Sequence, residues 1–402
     1  MFQIKKFILN MLCLAVILFS FLPMLAYIPM SNVLSFGTNT LFLLALISYA
    51  KGNYIKELIV PFVTLLIIIM FAILGDNKGF RNGYPTYSMA IFIPIVWKYI
   101  DVKIKESIVK IFYISLIIVA VICVTTSLAC LSDPYASRHV GYDNAESAAL
   151  AMSGVGDYSF IYGIVFLIFD VALLLFTEKN LVLKILFIAV IALGVITIFL
   201  SNFTTALLCL FIGGLLLAFS IGESRGIRKS VIIISGLLVV GFYFLSGHTI
   251  DLSGGEGRMA QIFDNSNKSV VGAILEEFFA DRWPYIQCSI NGMGNHPILG
   301  NAALLNFDNG KNTIYWGQHS FALDTFSLFG IVGWIYIYYF FKPLLEKYKI
   351  KKIRNVVIAY LISLIIVIFL NNYCYFMLTT LYIFGLYSIE RFHEVLMEKQ
   401  DV

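Results

Sequence analysis

Charge is what this chain has least of. Asp, Glu, Lys and Arg make up only 13% of its 402 residues, about half the share usual in a soluble domain. Hydrophobic residues account for 60%, and the mean hydropathy is +0.88. A water-soluble fold has no interior large enough for that much apolar surface, because much of its exterior is apolar already. The composition therefore excludes a soluble enzyme, a disordered chain, a coiled coil and a nucleic-acid-binding module. The formal charge of +4 is small and scattered, so no polyanionic partner is expected.

Several signatures of chemistry are missing too. Cys13, Cys123, Cys130, Cys209, Cys288 and Cys374 form no CxxC pair, and most of them sit in apolar runs. They read as small apolar residues, not as a disulfide framework or a metal site. There is no HExxH, no zinc-spaced His/Cys cluster and no DxD to hold a metal against a diphosphate. No metal and no cofactor is expected. The lack of a GxxxxGK[ST] loop excludes a pump carrying its own ATPase. A GxSxG turn and a Ser-His-Asp order are absent as well.

What the chain does have is apolar runs long enough for a bilayer, where a helix needs roughly 20 residues. Twelve spans are expected, at 7–29, 33–50, 57–74, 86–100, 108–131, 158–176, 181–200, 203–221, 231–247, 319–341, 355–371 and 374–389. The break at Asn371-Asn372 leaves eleven open. The first run follows Lys5-Lys6 without a small-residue cleavage site, so it reads as a retained anchor. With the N-terminus in the cytoplasm, the outer segments hold only Lys78, Arg81, Arg138, Arg258, Lys268, Arg282 and Lys311. Every other one of the 28 Lys and Arg falls inside. Basic loops stay in the cytoplasm, so both termini are assigned there. The expected fold class is an all-α polytopic membrane protein, one integral membrane domain over 1–402, with membrane lipids as its solvent.

Polar residues gather in two outer segments, 132–157 and 248–318. Long loops between spans generally serve a purpose. In the second, Val270, Val271, Ile274, Leu275, Phe278 and Phe279 recur at helical spacing, which predicts an amphipathic helix on the membrane surface. Asp281 then caps, and Pro284 opens, a second helix ending near Gly292 and Gly294. Gln318-His319-Ser320 stands at the mouth of the tenth span, with Asp324 one turn deeper on the Ser320 face. A carboxylate inside a span is costly and seldom idle, which singles out Asp324. Asp170, nearer the cytoplasmic half, fits a structural polar contact. Blander readings stand beside these. Arg282 has Glu276, Glu277 and Asp281 as neighbours, His319 fits an interfacial side chain, Arg138 a solvated loop charge, and His296 beside Pro297 a turn residue.

These outer residues resemble the bacterial O-antigen ligase and Wzy-type polysaccharide polymerase superfamily. The architecture is similar: twelve spans, both ends inside, and the largest outer loop between spans nine and ten. Arg282-x-x-x-Ile286 followed by Asn295-His296-Pro297-Ile298-Leu299-Gly300 resembles the group's R-x3-W helix and NPxxG turn. Here His296 is inserted, and Ile286 replaces the aromatic although Trp283 is adjacent. His319-Ser320-x-x-Leu323-Asp324, then Gly330-Ile331-Val332-Gly333, is similar to the group's H-[NS]-x-x-L and G-xx-G. Arg138-x-x-Gly141 ahead of Asn144 is similar to its R-x-x-G…N. Ligases of the group usually carry an arginine after the serine between spans seven and eight. Asn202 follows Ser201 here, which favours polymerase over ligase.

The resemblance implies a GT-C-like glycosyltransferase on the outer face of a bacterial cytoplasmic membrane, making O-antigen, capsule or exopolysaccharide. The donor would be a glycan on undecaprenyl diphosphate, the acceptor a hydroxyl of another lipid-linked repeat unit. A flippase and a chain-length regulator would be partners. A diphosphate leaving without a metal needs guanidinium donors, assigned to Arg282 first, with Arg138 and Arg258 behind it. His319 would activate the acceptor hydroxyl, with Asp324 fixing its tautomer and Trp283 and Ser320 lining the substrate. Direct displacement would invert the anomeric centre. Two alternatives stand: a ligase transferring the glycan to another acceptor, and a lipid-linked oligosaccharide flippase, which would need short loops, central charges and two related halves.

Overall fold

The structure, a computed structural model, describes residues 2–74, 91–140, 144–224, 283–302, 320–371 and 379–398. All regular structure among the described residues is helical. The elements are α1 (Phe2–Phe21), α2 (Ser31–Ile47), α3 (Tyr54–Leu74), α4 (91–97), α5 (Val102–Ser132), α6 (Ala136–His139), α7 (Ala145–Met152), α8 (Tyr158–Thr177), α9 (Leu181–Leu200), α10 (Thr204–Ser224), α11 (Trp283–Asn295), α12 (Phe321–Phe329), α13 (Ile331–Tyr348), α14 (Arg354–Leu370) and α15 (Leu386–Glu398).

Helices begin where a polar side chain closes a loop ahead of an apolar run. Asp101 accepts from the Lys103 N–H at 2.9 Å, Asn144 from Ser147 at 2.7 Å, Asp157 from Phe160 at 2.8 Å and Asn180 from Val182 at 2.9 Å. Each satisfies a donor that the first helical turn leaves open.

Among the described residues, six helical stretches are long and apolar enough to cross a membrane: Gln3–Phe21, Tyr54–Phe71, Val102–Ser132, Tyr158–Thr177, Leu181–Leu200 and Lys351–Leu370. Val33–Ile47 and Thr205–Ile221 are apolar but shorter. The expected span 231–247 lies outside the described residues, and 86–100 and 374–389 lie partly outside. Three boundaries differ from expectation. The first apolar helix stops at Phe21, because Pro23 opens a 3-10 turn over Pro23–Tyr27. The fifth helix starts at Val102, since Asp101 caps it. The expected span 319–341 is two helices, α12 and α13, divided at Gly330 with φ 54° and ψ −132°, a conformation essentially restricted to glycine.

The most enclosed helix is α8, which packs against α9, α10, α15 and the π-helical turn Thr380–Gly385. Small residues bring backbones close, as membrane helices need. A Cβ at Gly213 would lie 2.3 Å from Ser363 Oγ, and one at Gly194 would lie 2.9 Å from Ile164. Asp170 is fully buried in α8 and accepts from the Tyr360 hydroxyl of α14 at 2.6 Å. At one end of the bundle, lysines and glutamates interleave: Lys98 with Glu57 and Glu346, and Lys105 and Lys347 with Glu390.

Candidate functional site

The opposite end carries the residues singled out above. There the turn that follows α11 is locked onto the α12–α13 break. Gly300 has φ 71° and Gly330 has φ 54°. A Cβ on Gly300 would fall 2.1 Å from the Leu328 carbonyl oxygen, and one on Gly330 would fall 2.5 Å from that of Ile298. The two strained glycines are thus pressed against each other's segments. Backbone bonds close the seam: Ile331 N–H donates to Ile298 at 3.1 Å, and Asn301 N–H to Ser327 at 3.0 Å. The Asn301 amide, with no exposed surface, donates to Gly292 at 2.6 Å and to Ser327 at 2.9 Å. Gly333 brings α13 back onto α12, where a Cβ would lie 2.4 Å from the Thr325 oxygen. The two motif segments are therefore one structural unit.

On that unit Ser320 caps α12, its hydroxyl accepting from Leu323 N–H at 3.2 Å. Asp324 is 6% exposed and accepts from the Ser289 hydroxyl of α11 at 2.5 Å. The carboxylate thus ties α11 to α12. The Phe321 N–H donates to the Asn371 carbonyl at 3.0 Å, joining α12 to the end of α14.

Asn371 leads to the second cluster. Its side-chain oxygen accepts from the Tyr162 hydroxyl at 3.2 Å. The Tyr162 ring lies 5.9 Å from Phe203, which precedes α10, and the ring of Tyr158, on α8 like Tyr162, lies 5.5 Å from Phe203. The Arg138 guanidinium sits 5.0 Å from the Phe203 ring centre and 5.2 Å from that of Tyr135, and it donates to the Asn202 carbonyl at 2.8 Å. Asn202 has φ 52°, a left-handed turn that asparagine tolerates better than most residues. Burial raises the Asp157 carboxyl above the usual carboxylate range, while N–H groups including that of Phe160 pull it the other way.

The segment 132–157 has more structure than an open loop. It contains α6 and α7, with a small apolar core of Cys130, Ala136, Val140, Ala151 and Val155. Ser147 on α7 hydrogen-bonds Tyr27, which follows α1 in the chain. His139 pairs with Asp133 at 3.2 Å.

Of the residues assigned from the sequence, Asp324 and Ser320 stand together on α12, and Arg138 is linked to that helix only through Phe203, Tyr162 and Asn371. His319, Arg282 and Arg258 lie outside the described residues. Trp283 is the first residue of α11. His296 lies exposed in the turn, its carbonyl accepting from Gly300 N–H at 2.8 Å. Sequence reasoning missed Ser289 and Asn301, and read Asn371 only as a break between spans. Asn301 and Asn371 did carry a signal, as buried-type asparagines flanking apolar runs beside a glycine turn and a span end.

Chemically, this end of the bundle offers a cation over aromatic rings and a buried carboxylate held by a hydroxyl. Among the described residues no group of three or more His, Cys, Asp or Glu is arranged to hold a metal ion. Set against known proteins, the chain matches no family model and no curated protein.

Proposed function

We propose that this chain is a membrane glycosyltransferase of the repeat-unit polymerase type, working on the outer face of a bacterial cytoplasmic membrane. The observation that carries the reading is the interlock of the Asn295–Asn301 turn with the Gly330 break. Two segments read separately as polymerase-like motifs form one rigid seat, and Arg138 stands at the same end of the bundle. His319 directly precedes the cap Ser320 in the chain.

In the proposed reaction a hydroxyl oxygen of the acceptor repeat unit attacks the anomeric carbon of the donor glycan. The bond from that carbon to the undecaprenyl diphosphate oxygen breaks, and the configuration inverts. His319 takes the hydroxyl proton, and the charge left on the diphosphate is met by Arg282, with Arg138 and Arg258 in support. Asp324 orients the imidazole directly or through Ser320. Trp283 contributes to the substrate surface.

The test is a glycan ladder from a deletion strain complemented with variants at matched protein level. His319→Ala should collapse long chains to single repeat units, a loss on the order of 10²- to 10⁴-fold. His296→Ala should leave the ladder intact. Normal ladders from both variants would end the base assignment, and single units from His296→Ala alone would reverse it. A strain that loses all transferred glycan, instead of retaining single units, points to the ligase reaction.

A further inference from the structure

The turn that closes the glycine seam carries apolar side chains on its outside. Ile298 is 67% exposed and Leu299 62%. Their backbone is pinned to the start of α13, where Ile331 N–H donates to the Ile298 carbonyl at 3.1 Å. On α13, Ile331, Trp334, Ile335 and Tyr338 are exposed, and steps of three and four residues put them on one face. The helix packs against α3, α12 and α14, and α3 and α14 each contain a stretch able to cross a membrane. The face left over is therefore the one turned to lipid, and the turn extends it past the helix end. Charge is missing from both pieces. No Asp, Glu, Lys or Arg occurs in 283–302, and 320–341 holds only Asp324, which is buried.

The length of α13 sets the depth. Lys347, paired with Glu390 at the charged end of the bundle, lies sixteen residues along the helix from Ile331, a rise of about 24 Å. Bilayer hydrocarbon is about 30 Å thick. With the lysine at one boundary, Ile331 and the turn bonded to it fall just inside the other. We propose that Ile298 and Leu299 insert there, among the first acyl carbons of the leaflet farther from the charged end, with Trp334 one turn deeper. Tryptophan is a usual residue at that boundary. The backbone suits the same level. Pro297 has no N–H, and the Ile298 carbonyl and the Gly300 and Asn301 N–H groups are paired within the protein. The N–H groups of Ile298 and Leu299 meet no backbone acceptor among the described residues; ester oxygens supply one at the bilayer surface, and nothing would at its centre. The exposed side of α11 differs. Gln287, Asn291 and Asn295 recur there every four residues, so the element has a polar side for water and an apolar tip for lipid. Inserted, the tip fixes the height of the seam in the membrane. The inference stands whether or not the chain transfers sugars.

Fluorescence quenching of the full-length protein in phosphatidylcholine nanodiscs tests the insertion. Bimane is attached to Ile298→Cys, Leu299→Cys and Asn291→Cys, each in an otherwise cysteine-free chain. The quenchers are iodide in the water and doxyl groups fixed on acyl carbon 5 or carbon 12. At 298 and 299 the carbon-5 doxyl should quench at least threefold more than iodide or the carbon-12 doxyl. At 291 iodide should quench most. Should the variants not assemble, native protein is photocrosslinked to a phosphatidylcholine with a diazirine on its acyl chain, and an adduct should map to the peptide holding Ile298 and Leu299. Strong iodide quenching at 298 and 299 would place the turn in water, and a carbon-12 maximum would place it at the bilayer centre. Shielding from all three quenchers would mean that protein covers it, whether another part of the chain or a second copy. Any of these results, or native protein without a crosslink in 296–301, overturns the proposal.

Discussion

Arg138 shows what one side chain gains from its surroundings. Its guanidinium lies over the rings of Tyr135 and Phe203 and still donates to a carbonyl; a lysine ammonium can take one such role but not all of them. Arg138→Lys should therefore lower stability by about 1 kcal/mol, read as a drop in melting temperature in detergent, and should also weaken polymer formation. An unchanged melting temperature would mean that the rings hold the loop without the cation. The Ser289–Asp324 bond makes a second case. Ser289→Ala withdraws a buried donor from a buried carboxylate and should cost about 1–3 kcal/mol. Asp324→Asn should cost less, since an amide oxygen still accepts from Ser289; the opposite order would show that the charge outweighs the bond. Asp324 and Ser320 were legible in the sequence because polar side chains stand out against an apolar run. Ser289 was not, because its partner lies 35 residues away and nothing local announces the pairing.

At the scale of elements, the break between α12 and α13 is where sequence averaging fails. Hydropathy over 319–341 is that of a span, and one glycine barely moves the mean. The backbone of Gly330 nonetheless leaves the helical region, with Ile298 filling the space a side chain would need. Gly330→Ala should destabilise the protein by about 3 kcal/mol or abolish its insertion, because strain and overlap add. Accumulation and melting equal to wild type would show that the break bends easily. The motif spacing did point to this region, but only the fold reveals that Gly300 and Gly330 face each other. At the start of α8, Asp157→Asn keeps the cap, since asparagine serves equally well there, whereas Asp157→Ala should cost about 1 kcal/mol. The sign of the pH effect follows from the raised carboxyl. Stability tied to the protonated form is complete below the ordinary carboxylate pKa and is lost as pH rises through the folded value. The asparagine variant should thus gain on wild type as pH increases across that window, and a constant difference in melting temperature would contradict it.

For the whole molecule, the helical membrane class was readable from composition alone, and caps and turns marked many of the ends. What composition does not encode is which ends meet. The chain links running from Phe203 through Tyr162 and Asn371 to Phe321 join helices distant in sequence. Orientation follows from charge: Lys351→Cys, in an otherwise cysteine-free protein, should resist an impermeant maleimide on intact cells or spheroplasts, whereas Lys268→Cys should react. The reverse pattern would invert the topology and move the proposed chemistry to the other side. The glycine seam has one more consequence, for how such a protein can diversify. Asn301 leaves the seam next to Ala302, and Ser320 caps the helix that forms the seam's other half, so the two points between which the chain departs and returns are held by α12 itself. Closing a flexible connection between two fixed points costs only about 0.6 kcal/mol for each doubling of its length. A change of chain length between Ala302 and the segment that carries His319 should therefore leave the helices of the bundle where they are.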